Sequence, residues 1–337
     1  MGNRGIKNES QVLFFDQIQK VLPANYALVD VISDVLDIGS DSAYRRIRGD
    51  KLLDFNETIT LCKHFRISLD SIVGITAKNQ IECLYTPMDL SNANNFITYL
   101  NTLLSNMKNI RLTQGGEVLL SASDIPLFGL SMFKDLAFFK LFSWGKNVYG
   151  FSGSYEEFVN GLDTNEFLKF CNEIANNYQL IPTTEIWSSN TIDTFLNSVN
   201  YHYETDSFNN RKFPIYLCEQ LLELINILHK WTEEGQKYPK ETSFKFYVNE
   251  IGIENSFFLF RLHEKTKCMI KLYTVNGLTI SDRKFCEETE NWLHNLAQRA
   301  LLISGGSAKE RHKFFANQRQ KIRYFMDSCF ERDLECK

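Results

Sequence analysis

Gly39 and Gly49 bracket a short segment, Ser40–Arg48, and this punctuation constrains the chain more than any other feature. Upstream, Leu28, Val31, Ile32 and Val35 recur at helical spacing, with Asp30, Ser33 and Asp34 on the opposite side. That pattern predicts a short amphipathic helix over 27–36. Gly39 breaks it, and the chain restarts at Ser40. Ala43 and Ile47 lie four residues apart and share a face, which packs on the preceding helix. Ser40, Asp41, Ser42, Arg45 and Arg46 are then expected on the outer side, and Gly49 supplies a C-terminal stop.

Further helices surround this pair. Val12, Leu13, Phe14, Ile18, Val21 and Leu22 predict a helix over 9–22 that Pro23 ends. Asp54, with Glu57 three residues later, has the form of a capping box. It opens a helix whose apolar positions are Phe55, Ile59, Leu61, Cys62 and Phe65. Ser68 caps a last short turn, Leu69–Val73, which Gly74 closes.

The run DIGSDSAYRRIRG, followed by LDFNETITLCKHFRISLDSIVG, resembles the Cro/repressor family of helix-turn-helix domains. Two patterns carry the resemblance at their expected separation. One is aromatic–Arg–x–aliphatic–Arg–Gly, here Tyr44, Arg45, Arg46, Ile47, Arg48 and Gly49. The other is Ser-Leu-Asp-x-aliphatic, here Ser68 to Ile72. The resemblance implies an all-α, five-helix, lambda-repressor-like domain over residues 1–76, with Ser40–Arg48 entering the major groove of double-stranded DNA. It implies Ser40, Ser42, Arg45 and Arg46 at base edges and nearby phosphates, beside Tyr44, with Arg48 and Lys51 on the backbone. On this reading, Arg45→Ala with Arg46→Ala removes specific binding and leaves the thermal melt unchanged. Single modules of this kind bury little surface, so a homodimer reading two half-sites is expected.

Charge locates any such surface. The chain carries a net −4, which gives no global argument for nucleic acid. Tyr26–Gly74 holds six basic and eight acidic residues, but Ser40–Lys51 holds four basic and two acidic. Positive charge is therefore concentrated on Ser40–Arg48 and its exit.

Residues 77–89 are expected to form a connector and residues 90–304 a largely helical α+β domain. A helix is expected from near Ser91 to Met107, then a buried strand over Glu117–Ser121. Leu127–Trp144 is Phe-rich and apolar around nearly its whole circumference, which places it in a core. Ser154–Gln179, Thr184–Ser198 and Phe213–Glu234 are expected as helices, with Tyr201–Arg211 an exposed loop. Ser243–Asn249, Ser256–His263 and Lys267–Val275 then predict a three-stranded antiparallel β-meander. Asn276-Gly277 turns the chain out, and Ser281-Asp282 cap a helix over 283–303. Such a meander closed by a helix is similar in architecture to the closing half of GAF or PAS sensor domains. Residues 305–337 are expected to form a basic amphipathic helix: Lys309–Arg323 has six basic residues against Glu310, and Phe314, Phe315, Ile322, Phe325 and Met326 keep one side apolar.

Other chemistry finds little support. The eight cysteines are scattered with no CxxC pair, so neither a zinc site nor a disulfide framework is expected. His202 and His229 have no neighbouring carboxylate or second histidine at metal-ligand spacing. No phosphate-binding glycine loop, nucleophile elbow or kinase signature occurs, so no enzyme activity and no cofactor are expected. The N-terminus has no apolar signal region, and no run approaches eighteen apolar residues, so a cytoplasmic protein without a membrane partner is expected. The composite expectation is a DNA-binding transcriptional regulator. Its rival is an interaction scaffold that keeps the helical module without binding DNA. A small-molecule effector would be supported by an apolar cavity with convergent polar groups within residues 90–300.

Overall fold

Four helices, α1 (Glu9–Val21), α2 (Leu28–Leu36), α3 (Ser40–Ile47) and α4 (Phe55–Phe65), bring their apolar stripes together. Phe14, Phe15 and Ile18 of α1 meet Ile32, Ala43 and Leu61 of the other three in one core. The reversal between α2 and α3 falls at Asp37, in the left-handed region at φ 50°, and not at Gly39, which is extended at φ −65°. A short polar side chain tolerates that conformation. The Ile38 amide then donates to the Ser33 carbonyl at 3.0 Å, closing the end of α2. Gly49, at φ 81°, does end the α3 segment as expected. The capping box also forms: the Glu57 amide donates to Asp54 Oδ1 at 2.8 Å, and the Asp54 amide donates to Glu57 Oε2 at 3.1 Å.

The computed structural model describes residues 9–23, 26–69, 81–86, 93–238, 242–263, 265–272 and 276–335. The fifth helix expected over Leu69–Val73 lies, beyond Leu69 itself, outside the described residues. The chain divides into two units, Met1–Glu82 and Cys83–Lys337.

The second unit is built on a mixed sheet. Its strands are β1 (Cys83–Thr86), β2 (Glu117–Ala122), β3 (Thr183–Ser188), β4 (Gln236–Lys237), β5 (Thr242–Asn249), β6 (Phe257–Leu262), β7 (Lys265–Lys271), β8 (Gly277–Ile280) and β9 (Leu301–Leu302). The order is β1-β8-β7-β6-β2-β3-β5-β4, with β9 also on β5. β2, β3 and β5 run parallel, and every other pairing is antiparallel. Strand β1 falls within residues 77–89, the stretch expected as a connector; 77–80 and 87–89 lie outside the described residues.

Parallel strands need long crossovers, and helices supply them. Between β1 and β2 lies α5 (Ala93–Leu112). Between β2 and β3 lie α6 (Leu127–Leu130), α7 (Lys134–Tyr149), α8 (Tyr155–Asn160) and α9 (Thr164–Leu180). α10 (Asp193–Glu204) and α11 (Phe213–Glu234) lead from β3 towards β4 and β5. α12 (Arg283–Arg299) and α13 (Ala308–Glu335) follow the last long strands. Side chains alternate across the sheet. Val118, Trp187, Phe246 and Phe258 enter the large core shared with α5 to α11 and α13. Leu119, Ile186, Leu259 and Cys268 face the opposite way and pack with Cys286, Leu293 and Ala297 of α12.

Three kinds of expectation need correction. Thr184–Ser198 is not one helix: Thr183–Ser188 forms β3, and only Asp193–Glu204 is helical, which also takes 201–204 out of the expected loop. β3 is buried on both faces, so it lacks the alternation that marks a strand. Its Glu185, fully buried, accepts from Tyr178 Oη at 2.5 Å and Trp187 Nε1 at 2.9 Å. Second, β5 does not join β6 in a meander. β5 pairs with β3 and β6 with β2, so the antiparallel run is β6-β7-β8-β1. A meander closed by a helix does form, but from β6, β7 and β8 followed by α12. Third, helix bounds shift: Leu127–Trp144 is two helices, α6 and α7, although its Phe residues are core as expected; Ser154–Gln179 is likewise two, α8 and α9; and the helix expected over 283–303 ends at Arg299, before β9. The basic C-terminal helix docks its stripe, Phe314, Phe315, Ile322 and Phe325, into the same core and packs on α11. No described helix is long and apolar enough to cross a membrane.

His202 sits fully buried among Phe139 and Phe142, with Nδ1 3.3 Å from Ser207 Oγ. Burial, with Lys146 nearby, lowers its pKa to about 4. An unfolded histidine titrates near 6.5. Between those values the unfolded chain takes up a proton that the folded unit refuses, so stability falls as pH drops through that window. All four tryptophans (144, 187, 231 and 292) lie in the second unit, so their fluorescence reports on it alone. Tryptophan-monitored melts should drop between pH 7 and pH 4.5. His202→Gln should flatten that drop; a variant with the full slope would remove His202 as its source.

Candidate functional site

The exposed face of α3 and its exit form the candidate nucleic-acid interface. With α2 behind it and Ala43 fully buried, Ser40, Asp41, Tyr44, Arg45 and Arg48 remain exposed, and Lys51 is exposed just beyond. These α3 positions follow the helical repeat and lie along one stripe. The Arg48 guanidinium sits 5.6 Å from the centroid of the Tyr44 ring, within range of a cation–π contact.

Arg46 is not part of this face. It is 3% exposed and points inward. Its Nε and Nη2 donate to Glu57 Oε2 at 3.0 Å and Oε1 at 2.5 Å, a bidentate pair. Its Nη1 donates to the Ser42 carbonyl at 3.1 Å and Ser42 Oγ at 3.2 Å. The Ser42 hydroxyl is therefore engaged by Arg46, and the residue is only half-exposed. Both residues leave the outer side expected for them. Spacing placed Arg46 outward because the face of an eight-residue helix is defined by few apolar residues, and α4 covers the sector that the sequence leaves blank. The hydrogen bond from Arg46 holds the Glu57 carboxyl below its ordinary range, against the opposing effect of burial.

Gln11 completes the arrangement. Its Nε2 donates to the Arg46 carbonyl at 2.7 Å and the Lys51 carbonyl at 2.8 Å. Its Oε1 accepts from the Leu53 amide at 2.9 Å. One amide side chain thus ties α1 to the exit of α3 and sets the path of Lys51. The sequence carried a signal for it: Gln11 lies three, four and seven residues before Phe14, Phe15 and Ile18, a polar residue on an apolar stripe.

The second unit holds a cavity of about 260 Å³ between α5, the start of α6 and the sheet face of β2, β6, β7 and β8. Its walls include Leu103, Val118, Phe258, Phe260 and Met269, with Asp124, Lys267 and Lys271 among the polar groups. Asp124 is 4% exposed, and its Oδ2 accepts from Lys140 and, at 3.1 Å, from Lys271. Burial pushes the Asp124 carboxyl up, but the two ammonium groups outweigh it and hold the pKa below the ordinary value. This is the kind of apolar cavity with convergent polar groups that an effector would need. Among the described residues no group of three or more His, Cys, Asp or Glu is placed to hold a metal ion. Compared with protein-family models, curated proteins and solved structures, the chain matches none.

The inward Arg46 reverses the melt expectation for its substitution. Arg46→Ala removes the charged bonds to Glu57 and should destabilise the first unit by about 2 kcal/mol. Faster hydrogen exchange over residues 28–66 would report that loss. Arg45→Ala should leave exchange there unchanged, and equal exchange in the two variants would contradict the assignment.

Proposed function

We propose that the chain is a sequence-specific DNA-binding transcriptional regulator, with α3 as the recognition helix of a lambda-repressor-like helix-turn-helix module. The single observation that carries this reading is the exposed stripe of Ser40, Tyr44, Arg45 and Arg48 on a helix otherwise clamped to its module. The resemblance to the Cro/repressor family supports it. In this reading Ser40 and Arg45 meet base edges, since an arginine fork matches guanine O6 and N7. Asp41, exposed at the first turn, accepts from cytosine N4. Arg48 and Lys51 lie along phosphates and add affinity without sequence information. Arg46 and Ser42 serve as positioning residues. The second unit pairs two chains and responds to a small molecule; pairing sets two half-sites about one helical turn apart.

Selection of bound sequences from random DNA with the full chain should yield a motif with two-fold symmetry. Arg45→Ala should weaken binding to that motif about tenfold or more and relax the preference at one base position. Lys51→Ala should weaken binding evenly across sequences and reduce the salt slope by about one. Recovery of no motif, together with binding that is absent at low salt, would leave the interaction-scaffold reading in its place.

A further inference from the structure

The cavity of the second unit has a polarity along its length. At one end Asp124 keeps a buried oxygen, Oδ1, to which nothing donates among the described residues. Two ammonium groups already surround this carboxylate, so a third cation there is repelled and a neutral donor is favoured. At the other end lies Lys267, which forms no ion pair among the described residues. Between Lys267 and Lys271 the wall is apolar, with Met269 paired to Phe258, and Leu103 also lines the cavity. Counting its ionised walls, Lys267 and Lys271 outnumber Asp124, which favours an anion. Lys267 and Lys271 are four residues apart on one strand, about 13 Å, and Lys271 touches Asp124.

We propose that this cavity binds an elongated apolar carboxylate whose anionic head sits at the Lys267 end and whose far end carries a neutral hydroxyl for Asp124. A medium-chain hydroxy acid has this shape, with its two polar ends separated by an extended alkyl chain. The hydroxyl donates to Asp124 Oδ1, and the carboxylate accepts from Lys267. The regulatory meaning of such binding rests on the reading of the second unit as a sensor. The binding itself is measured without DNA, so its failure and the failure of DNA recognition are separate results.

Calorimetric titration of the full chain with 10-hydroxydecanoate, decanoate and 1,10-decanediol tests the proposal. The hydroxy acid should bind most tightly. Loss of the carboxylate, in the diol, should weaken binding roughly tenfold, and loss of the hydroxyl, in decanoate, a few-fold. Lys267→Met, at a half-exposed position, should erase the difference between hydroxy acid and diol. Leu103→Trp, which adds bulk to the cavity lining, should abolish binding of all three. The proposal is overturned if the diol binds as tightly as the hydroxy acid, if Leu103→Trp binds undiminished, or if none of the three binds at millimolar concentration.

Discussion

The bidentate pair between Arg46 and Glu57 is the constraint on which the first unit's candidate function depends. It joins α3 to α4 across a loop with no regular structure, and it does so with a carboxylate that also caps α4 through the Asp54 amide. A charged hydrogen bond of this kind is directional, so it fixes the rotation of α3 about its axis as well as its position. An eight-residue helix has little intrinsic stability and would not hold a face outward unaided. Ala43 packs its inner side, Arg46 locks its second side, and Gln11 holds its exit. What remains exposed is the stripe that can meet another molecule.

The second unit solves a different problem. Three adjacent strands of its sheet, β2, β3 and β5, run parallel, and such strands are stable only when both faces are covered. The helices between them bury one face, and α12 buries the other. The interior then contains charge that must be satisfied. Lys237 is fully buried, with Nζ donating to the carbonyls of Tyr178 at 2.7 Å and Ile181 at 3.0 Å. Those carbonyls close the C-terminal end of α9, where a cation is favoured. Burial lowers the Lys237 pKa well below its ordinary value, with Glu185 opposing. Buried polar groups satisfied in this way tie β4 to α9 and specify one packing among many that an apolar core would allow.

The same sheet explains where the cavity lies. On the β2–β3–β5 side, α7 to α11 and α13 fill the space with interlocked aromatics, such as Phe138 stacked on Phe167 at 3.9 Å. On the antiparallel side, α5 and α6 cover β6, β7 and β8 less completely, and the cavity lies between them. Lysines at alternate positions of β7 face that space with Met269 between them, which gives the apolar cavity its charged ends.

Much of the first unit was legible in the sequence because its signals are local. Helical spacing, Pro23, Gly49 and the Asp54–Glu57 box act within a few residues, and the structure places helices where they indicate. The same held for Phe213–Glu234, which is α11 from end to end, and for Asp282, which caps α12 by accepting from the Phe285 amide at 2.8 Å. The inward turn of Arg46 was hidden, because its partner lies in another helix and either side of α3 suits an arginine by composition. β3 was hidden for a related reason: Thr183–Ser188 has no alternation, and its charged Glu185 is paid for by Tyr178 and Trp187 only once the sheet exists. The cavity needed still more, since Asp124, Phe258 and Lys267 line one space only through pairings between strands distant in the chain. The sequence alone thus determined the helical module, the position of its short third helix and the period change to strands. Tertiary structure decided which side of that helix faces outward, which strands are neighbours and where the cavity lies. Those outcomes depend on contacts between distant residues, to which local periodicity is blind.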